Sequence, residues 1–178
     1  MFLFLSAIIG FVYFRSHGWI QKGRGKAVVL RSLKKTIPSA IAVVGFLLMS
    51  RVMSSTGQTD VLAQGVAMVL GRGYALLAPV VGMLGSFMTS SNMASNILFG
   101  KFQLTTANLL GVDAAMILGA QTAGGAIGGA ICPGNIILGT TTAGILGQEG
   151  NVLKRILPLT ISAAVCVGVI LFVALFVL

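Results

Sequence analysis

The stretch "GSFMTSSNMASNILFG" at residues 85–100 concentrates hydrogen-bonding groups where the neighbouring chain offers almost none. Thr89, Ser90, Ser91, Asn92, Ser95 and Asn96 place six neutral hydroxyls or amides in eight positions, and no charge falls between Gly73 and Gly100. Ser91 and Ser95 are four apart, as are Asn92 and Asn96, so a helix starting near Ser90 carries all four on one stripe. Met93, Ala94, Ile97 and Leu98 then face away. Free amides at a helix N-terminus amount to roughly half a positive charge, which holds an anion without a basic side chain. Serine and asparagine add donors for a carboxylate, or carbonyl oxygens for a cation. The competing reading is that small polar residues glue helix to helix in a bilayer. Six of them at one helix start favour a binding tip.

A second set follows in "QTAGGAIGGAICPGN", with Gln121, Thr122, Gly124, Gly125, Cys132, Pro133 and Asn135. It lies inside residues 114–148, which run 35 positions without a charge. One straight helix of that length would measure about 52 Å, against about 30 Å of hydrocarbon. It must break, and five glycines and a proline in residues 124–135 mark the place. A break exposes carbonyls on one side and amides on the other, the construction of midplane sites in secondary transporters. The competing reading is a glycine-rich packing surface. Thr140, Thr141 and Thr142 lie on the second half-helix, where hydroxyls commonly bond back to the backbone.

Enzyme chemistry has little to stand on. The acids are Asp60, Asp113 and Glu149, the one histidine is His17, and Cys132 and Cys166 both sit in apolar contexts. These residues make no nucleophile–base pair, metal-ligand spacing or disulfide framework. Asp113 at a predicted helix start reads as compensation of the helix dipole. Both cysteines read as small buried hydrophobes. The expectation is a chain that is not an enzyme and carries no cofactor.

Elements long and apolar enough to hold these residues in a bilayer follow from composition. Apolar residues make up 56% of the 178 positions and charged residues 8%, with mean hydropathy +1.01. Soluble domains carry roughly 25% charge. An all-α integral membrane protein is predicted, multi-pass and in the plasma membrane. Of twelve basic residues, seven lie between Arg15 and Lys35, and a basic loop between apolar runs marks the cytoplasmic side rather than a nucleic-acid partner. Residues 1–14 read as a partial transmembrane helix and 15–35 as a basic loop, whose last part is an interfacial helix. Residues 36–178 read as the transmembrane unit. In it Pro38 fits a first turn, Gly57 a stop, and Arg51 snorkels to an interface. A hairpin is predicted over about 74–108, re-entrant because each arm is short for a span. The broken helix takes about 114–148 and a final helix about 156–178.

"LRSLKKTIPSAIAVVGFLLMSRVMSSTG", the hairpin stretch and "QTAGGAIGGAICPGNIILGTTTAGILGQEGNVLKR" together resemble the C-terminal part of the lactate permease family. The resemblance covers the chain from about Val28 and is most specific at the tip and the glycine break. It implies transport of lactate, glycolate and related 2-hydroxymonocarboxylates with protons. It also implies one repeat of an inverted-repeat transporter, with one re-entrant hairpin and one broken helix. Where the family's tip typically has Asp this chain has Asn92, and where the family has Lys after the glycines it has Gly129. The usual Ser-Pro-Gln becomes Cys132, Pro133 and Gly134, and the usual Asn becomes Gln121. A neutral tip holds no proton at that position, which sets a sodium-like cation (Na+) held by Asn and backbone oxygens beside the family's H+ as the expected co-transported ion. The function expected is the C-terminal part of a secondary transporter for a small organic anion. The alternative is a truncated or non-transporting protein acting only through partner helices. Expected partners are the lipid bilayer, a small carboxylate, and a second copy or separately encoded N-terminal half.

Overall fold

The structure, a computed structural model, describes residues 2–18 and 24–176, and all of its regular elements are helical. In order they are α1 (Phe2–Ser16), α2 (Arg24–Ser55), α3 (Gln58–Leu70), a 3-10 turn at Gly71–Gly73, α4 (Tyr74–Thr89), α5 (Asn92–Leu110), α6 (Ala114–Gly128), α7 (Pro133–Thr142) and α8 (Glu149–Phe176). The chain divides into two units, one ending at Val44 and one covering Gly45–Leu178.

The first unit holds α1 and the beginning of α2. Part of the predicted basic loop, residues 19–23, lies outside the described residues. Positions 24–35 are helical and α2 continues from them without a break to Ser55, so the stretch expected as a separate interfacial helix is the beginning of a longer one. Pro38 therefore lies well inside a helix rather than in a first turn. Lysine and arginine are good helix formers, so the basic stretch needs no boundary, and the helix tolerates the one amide bond that proline removes. Gly57 follows α2 in the left-handed conformation (φ 75°) that suits a helix stop.

The second unit carries the site. Among the described residues, three stretches are long and apolar enough to cross a membrane: Gln58–Thr89, Ala114–Thr142 and Glu149–Phe176. Two of them are interrupted, by the 3-10 turn at Gly71–Gly73 and by the non-helical residues 129–132. α4 is the hub, packed on α6, α8 and α5. Glycines let these backbones meet. A Cβ on Gly124 of α6 would fall on the Pro79 carbonyl of α4, and one on Gly128 would fall on that of Met83. One on Gly82 would hit the Gln121 carbonyl, and one on Gly168 of α8 that of Leu76. Small residues at membrane helix contacts work in this way, because lipid supplies no hydrophobic drive and close van der Waals contact must replace it. The apolar core gathers Tyr74, Ala75, Ala78, Ala107, Ile117 and Leu171, and a smaller cluster joins Met83, Ile131 and Ala164. These pairings run α6 parallel to α4, and α5 and α8 antiparallel to it. Leu159, Val165, Val169 and Ile170 point outward from α8 and form an exposed apolar surface.

Helix ends follow local chemistry. Asp113 caps α6, its carboxylate accepting from the Ala115 amide at 2.7 Å. Thr141 and Thr142 donate to the carbonyls of Ile137 and Leu138 at 2.7 Å each. The second half-helix stops at Thr142, and the final helix begins at Glu149, earlier than the expected 156. The reason is visible at Glu149, which accepts from the Gly147 amide at 2.9 Å and from Thr140 Oγ1 at 3.1 Å, fixing a helix start there. Cys132 is buried as expected. Cys166 is exposed, a correction that follows from its place beside Val165 on the outward, apolar side of α8.

Candidate functional site

α4 ends at Thr89 and α5 starts at Asn92, leaving Ser90 and Ser91 to reverse the chain. Ser90 adopts φ 55°, the sole non-glycine residue at positive φ among those described. Ser91 is extended and caps α5, its hydroxyl accepting from the Ala94 amide at 3.3 Å. Thr89 braces the reversal, donating to the Gly85 carbonyl at 2.8 Å and accepting from the Ser91 amide at 3.3 Å. A left-handed serine costs about 1 kcal/mol relative to glycine. Ser90→Gly is therefore expected to raise the thermal unfolding midpoint and Ser90→Val to lower it, each by an amount equivalent to about 1 kcal/mol.

The second interruption lies against this tip. α6 ends at Gly128, and Cys132 caps α7 with Pro133 at its first position, where a missing amide does no harm. Asn135 Nδ2 reaches back to the Gly129 carbonyl at 2.8 Å and closes the break. A Cβ on Gly134 would stand 3.7 Å from Ser90 Oγ, and one on Gly125 would meet Asn92 Oδ1 and lie 3.1 Å from Ser86 Oγ. The C-terminal turns of α4 and α6 thus gather with the N-termini of α5 and α7. Partial negative and positive charges of roughly half a unit each meet there.

Beneath the tip runs a buried chain of polar side chains whose direction is forced. Ser95 Oγ lies 3.0 Å from the Gly82 carbonyl, an acceptor only, so it donates there. It must then accept from Gln121 Nε2 at 3.2 Å. Gln121 Oε1 accepts from Gln103 Nε2 at 2.7 Å, which also donates to the Ala78 carbonyl at 3.0 Å. Gln103 Oε1 takes the hydroxyl of Tyr74. All four side chains are buried, so the chain fastens α4, α5 and α6 together.

Among the described residues, three buried side-chain oxygens have no hydrogen-bond partner: Ser86 Oγ, Asn92 Oδ1 and Asn96 Oδ1. Their orientation is not arbitrary for Asn96. The Thr122 hydroxyl gives its proton to the Leu118 carbonyl at 3.0 Å, so it can only accept from Asn96 Nδ2 at 3.1 Å. Asn96 Oδ1 is left pointing elsewhere. A buried unpartnered polar atom costs about 1–3 kcal/mol, and three in one region call for a reason.

The family model described as L-lactate permease matches residues 1–178. This chain belongs to that family. It is 29% identical over 97% of its length to a putative L-lactate permease of Haemophilus influenzae, covering 32% of that protein. It is 33% identical over 94% of its length to a glycolate permease of Escherichia coli, covering 29% of it. With an L-lactate permease of Bacillus subtilis it shares 31% identity over 76% of its length and 23% of the relative's. The chain thus spans about a third or less of these curated relatives. No solved structure matches it. Family and spans together make it a multi-pass protein of the plasma membrane, and its relatives are permeases rather than enzymes.

Among the residues that sequence marked, the structure gathers Ser90, Ser91, Asn92, Gly125, Cys132, Pro133 and Asn135 where the tip meets the break. Asn96 and Thr122 pair one turn away. Ser95 and Gln121 are 0% and 1% exposed and turn inward to the polar chain. Gly124 is spent wholly on the contact with Pro79, where the packing reading applies. Tyr74, Ser86 and Gln103 are the residues that sequence reasoning passed over. Gln103 had a signal, eight positions after Ser95 and so on the same helical face. Ser86 had none beyond being a hydroxyl in an apolar run.

Proposed function

We propose that this chain is the C-terminal part of a secondary active transporter for a small organic anion, a 2-hydroxymonocarboxylate of the lactate or glycolate type, moved together with a cation. The observation that carries the reading is the meeting of the hairpin tip with the helix break, two N-termini against two C-terminal turns. The substrate carboxylate sits at the amide ends of α5 and α7, beside the exposed Ser90, Pro133 and Asn135. α4 and α5 act as a re-entrant hairpin. At about 1.5 Å per residue, the 16 residues of α4 reach about 24 Å, short of about 30 Å of hydrocarbon. The chain then serves as one of two inverted repeats, and a second copy or a companion N-terminal half completes the site. Alternating access comes from the joined α4–α5–α6 body moving against a scaffold. The names of the relatives, lactate and glycolate permeases, support the substrate class.

Uptake of radiolabelled L-lactate and glycolate into proteoliposomes carrying the chain, under imposed proton or sodium gradients, tests this. Uptake above empty vesicles is expected, and Asn92→Ala should reduce it by about tenfold or more, the loss expected for one polar contact in a desolvated site. Uptake no greater than empty vesicles under every gradient would exclude a pair of copies as the transporter and leave a companion half, or a chain that acts only by associating with other helices.

A further inference from the structure

We propose that Lys154 and Arg155 hold the headgroup phosphate of an anionic phospholipid whose acyl chain runs down the outward face of α8. The two cations line a cleft of about 520 Å3 with Ile145, Gln148, Asn151 and Val152, between the loop that precedes α8 and the first turns of that helix. Both are exposed, and among the described residues neither has a hydrogen-bond or ion-pair partner. Arg72, by contrast, rests over the ring of Phe176 at 5.2 Å. The acid near the cleft does not neutralise the pair. Glu149 is turned to the Gly147 amide and to Thr140, and it lines a separate cavity with Phe87 and Leu153. Nor do the cations serve the helix start, where exposed amides favour an acid. Their counter-charge has to come from outside the chain.

Depth and surface narrow the ligand. Beyond Arg155 the helix runs uncharged to Phe176, about 32 Å at about 1.5 Å per residue, against about 30 Å of hydrocarbon. Lys154 and Arg155 therefore stand at the edge of the hydrocarbon, the level of lipid phosphates. A guanidinium grips phosphate oxygens in pairs and an ammonium adds a point charge. The carboxamides of Gln148 and Asn151 bring further donors. Below the cleft, Arg155, Leu159, Ser162, Cys166 and Val169 follow at steps of four, three, four and three, which is one helix face, and all are exposed. The Ser162 hydroxyl is spent on the Leu159 carbonyl at 2.8 Å, so the strip offers apolar contact to a chain lying along it. A free phosphate would use the cations and leave this strip idle. Two unpaired positive charges also favour a lipid of net negative charge over a zwitterionic one, as basic pockets at membrane surfaces do.

Titration of the purified chain in neutral detergent with phosphatidylglycerol, read by native mass spectrometry and by thermal unfolding, tests the site. Saturable binding ahead of phosphatidylcholine is expected, with a rise of the unfolding midpoint. The double variant Lys154→Gln with Arg155→Gln should weaken binding about tenfold or more. Its midpoint without lipid should stay in place, since the fold loses no partner. Lys101→Gln removes a charge from α5 that does not line the cleft, so binding should be unchanged. No preference over phosphatidylcholine, or equal weakening by Lys101→Gln and Arg155→Gln, overturns the site and leaves these charges as a signal of topology or a contact for an acidic protein segment. Displacement of the lipid by millimolar inorganic phosphate overturns the lipid as occupant and assigns the cleft to a free anion.

Discussion

Gly124→Ala is expected to unfold the transmembrane unit, whereas Gly125→Ala one residue later should leave it folded and silence the site. The methyl group added at position 124 would fall on the backbone of Pro79, touching its carbonyl oxygen, carbonyl carbon and Cα. A helix backbone cannot step aside as a side chain can. Overpacking ordinarily costs about 1–3 kcal/mol and occasionally more, and here the whole of α6 would have to separate from α4. Against a total stability of about 5–15 kcal/mol for a domain, that loss should appear as aggregated or poorly expressed protein. At Gly125 the methyl meets Asn92 Oδ1 and Ser86 Oγ, both ends of side chains. They can rotate away, so the fold survives, but the two oxygens no longer converge. Thermal unfolding reports the first effect, and lactate uptake reports the second. Equal loss of fold in both variants would mean that the glycines are packing residues alone.

The second large effect belongs to Gln103→Leu. Leucine fits the volume but strands Gln121 Oε1, takes the Gln103 acceptor from the Tyr74 hydroxyl and removes a side-chain donor from the Ala78 carbonyl. An orphaned buried group costs about 1–3 kcal/mol. In membranes the measured value of such bonds is lower, about 0.6 kcal/mol on average, since the unfolded state finds partners too. About 2–3 kcal/mol of destabilisation is expected for the single change. Tyr74→Phe alone removes one donor and costs less. The double variant Tyr74→Phe with Gln103→Leu should be more stable than the sum predicts, because the stranded hydroxyl has gone with its partner. Denaturant or thermal unfolding of the four proteins checks this, and strict additivity would show that the side chains do not act as a chain.

How far the sequence could be read depended on the range of the forces involved. The helix break was legible because 35 uncharged residues exceed any bilayer and glycine and proline mark where backbone can give way. The reversal at Ser90 and Ser91 was legible as a polar knot between two apolar arms. The all-helical membrane fold followed from composition. The individual duties of the side chains did not. Ser95 and Asn96 are adjacent in sequence, yet one turns inward to Gln121 and the other towards Thr122. That difference of about 100° in helical direction depends for its meaning on where α6 lies, which no local pattern encodes. Gly124 and Gly125 differ in the same way, one facing the Pro79 backbone and the other Asn92. Pro38 misled because a proline suits a first turn, and only tertiary or lipid context decides whether a helix runs through it. Ser86 was hidden altogether, since its importance is an unfilled valence that appears only when its neighbours are in place.

The row of side chains from Tyr74 to Ser95 has the outline of a proton wire, but its links are of the wrong kind. Every donor points one way, ending on the Gly82 carbonyl, and two of the links are carboxamides, whose nitrogens do not hand on a hydrogen as water or a hydroxyl does. Charge cannot hop along it, and reversing it would require all the groups to turn at once. The row is therefore an insulator, which ties three helices together without offering protons a route through the interior.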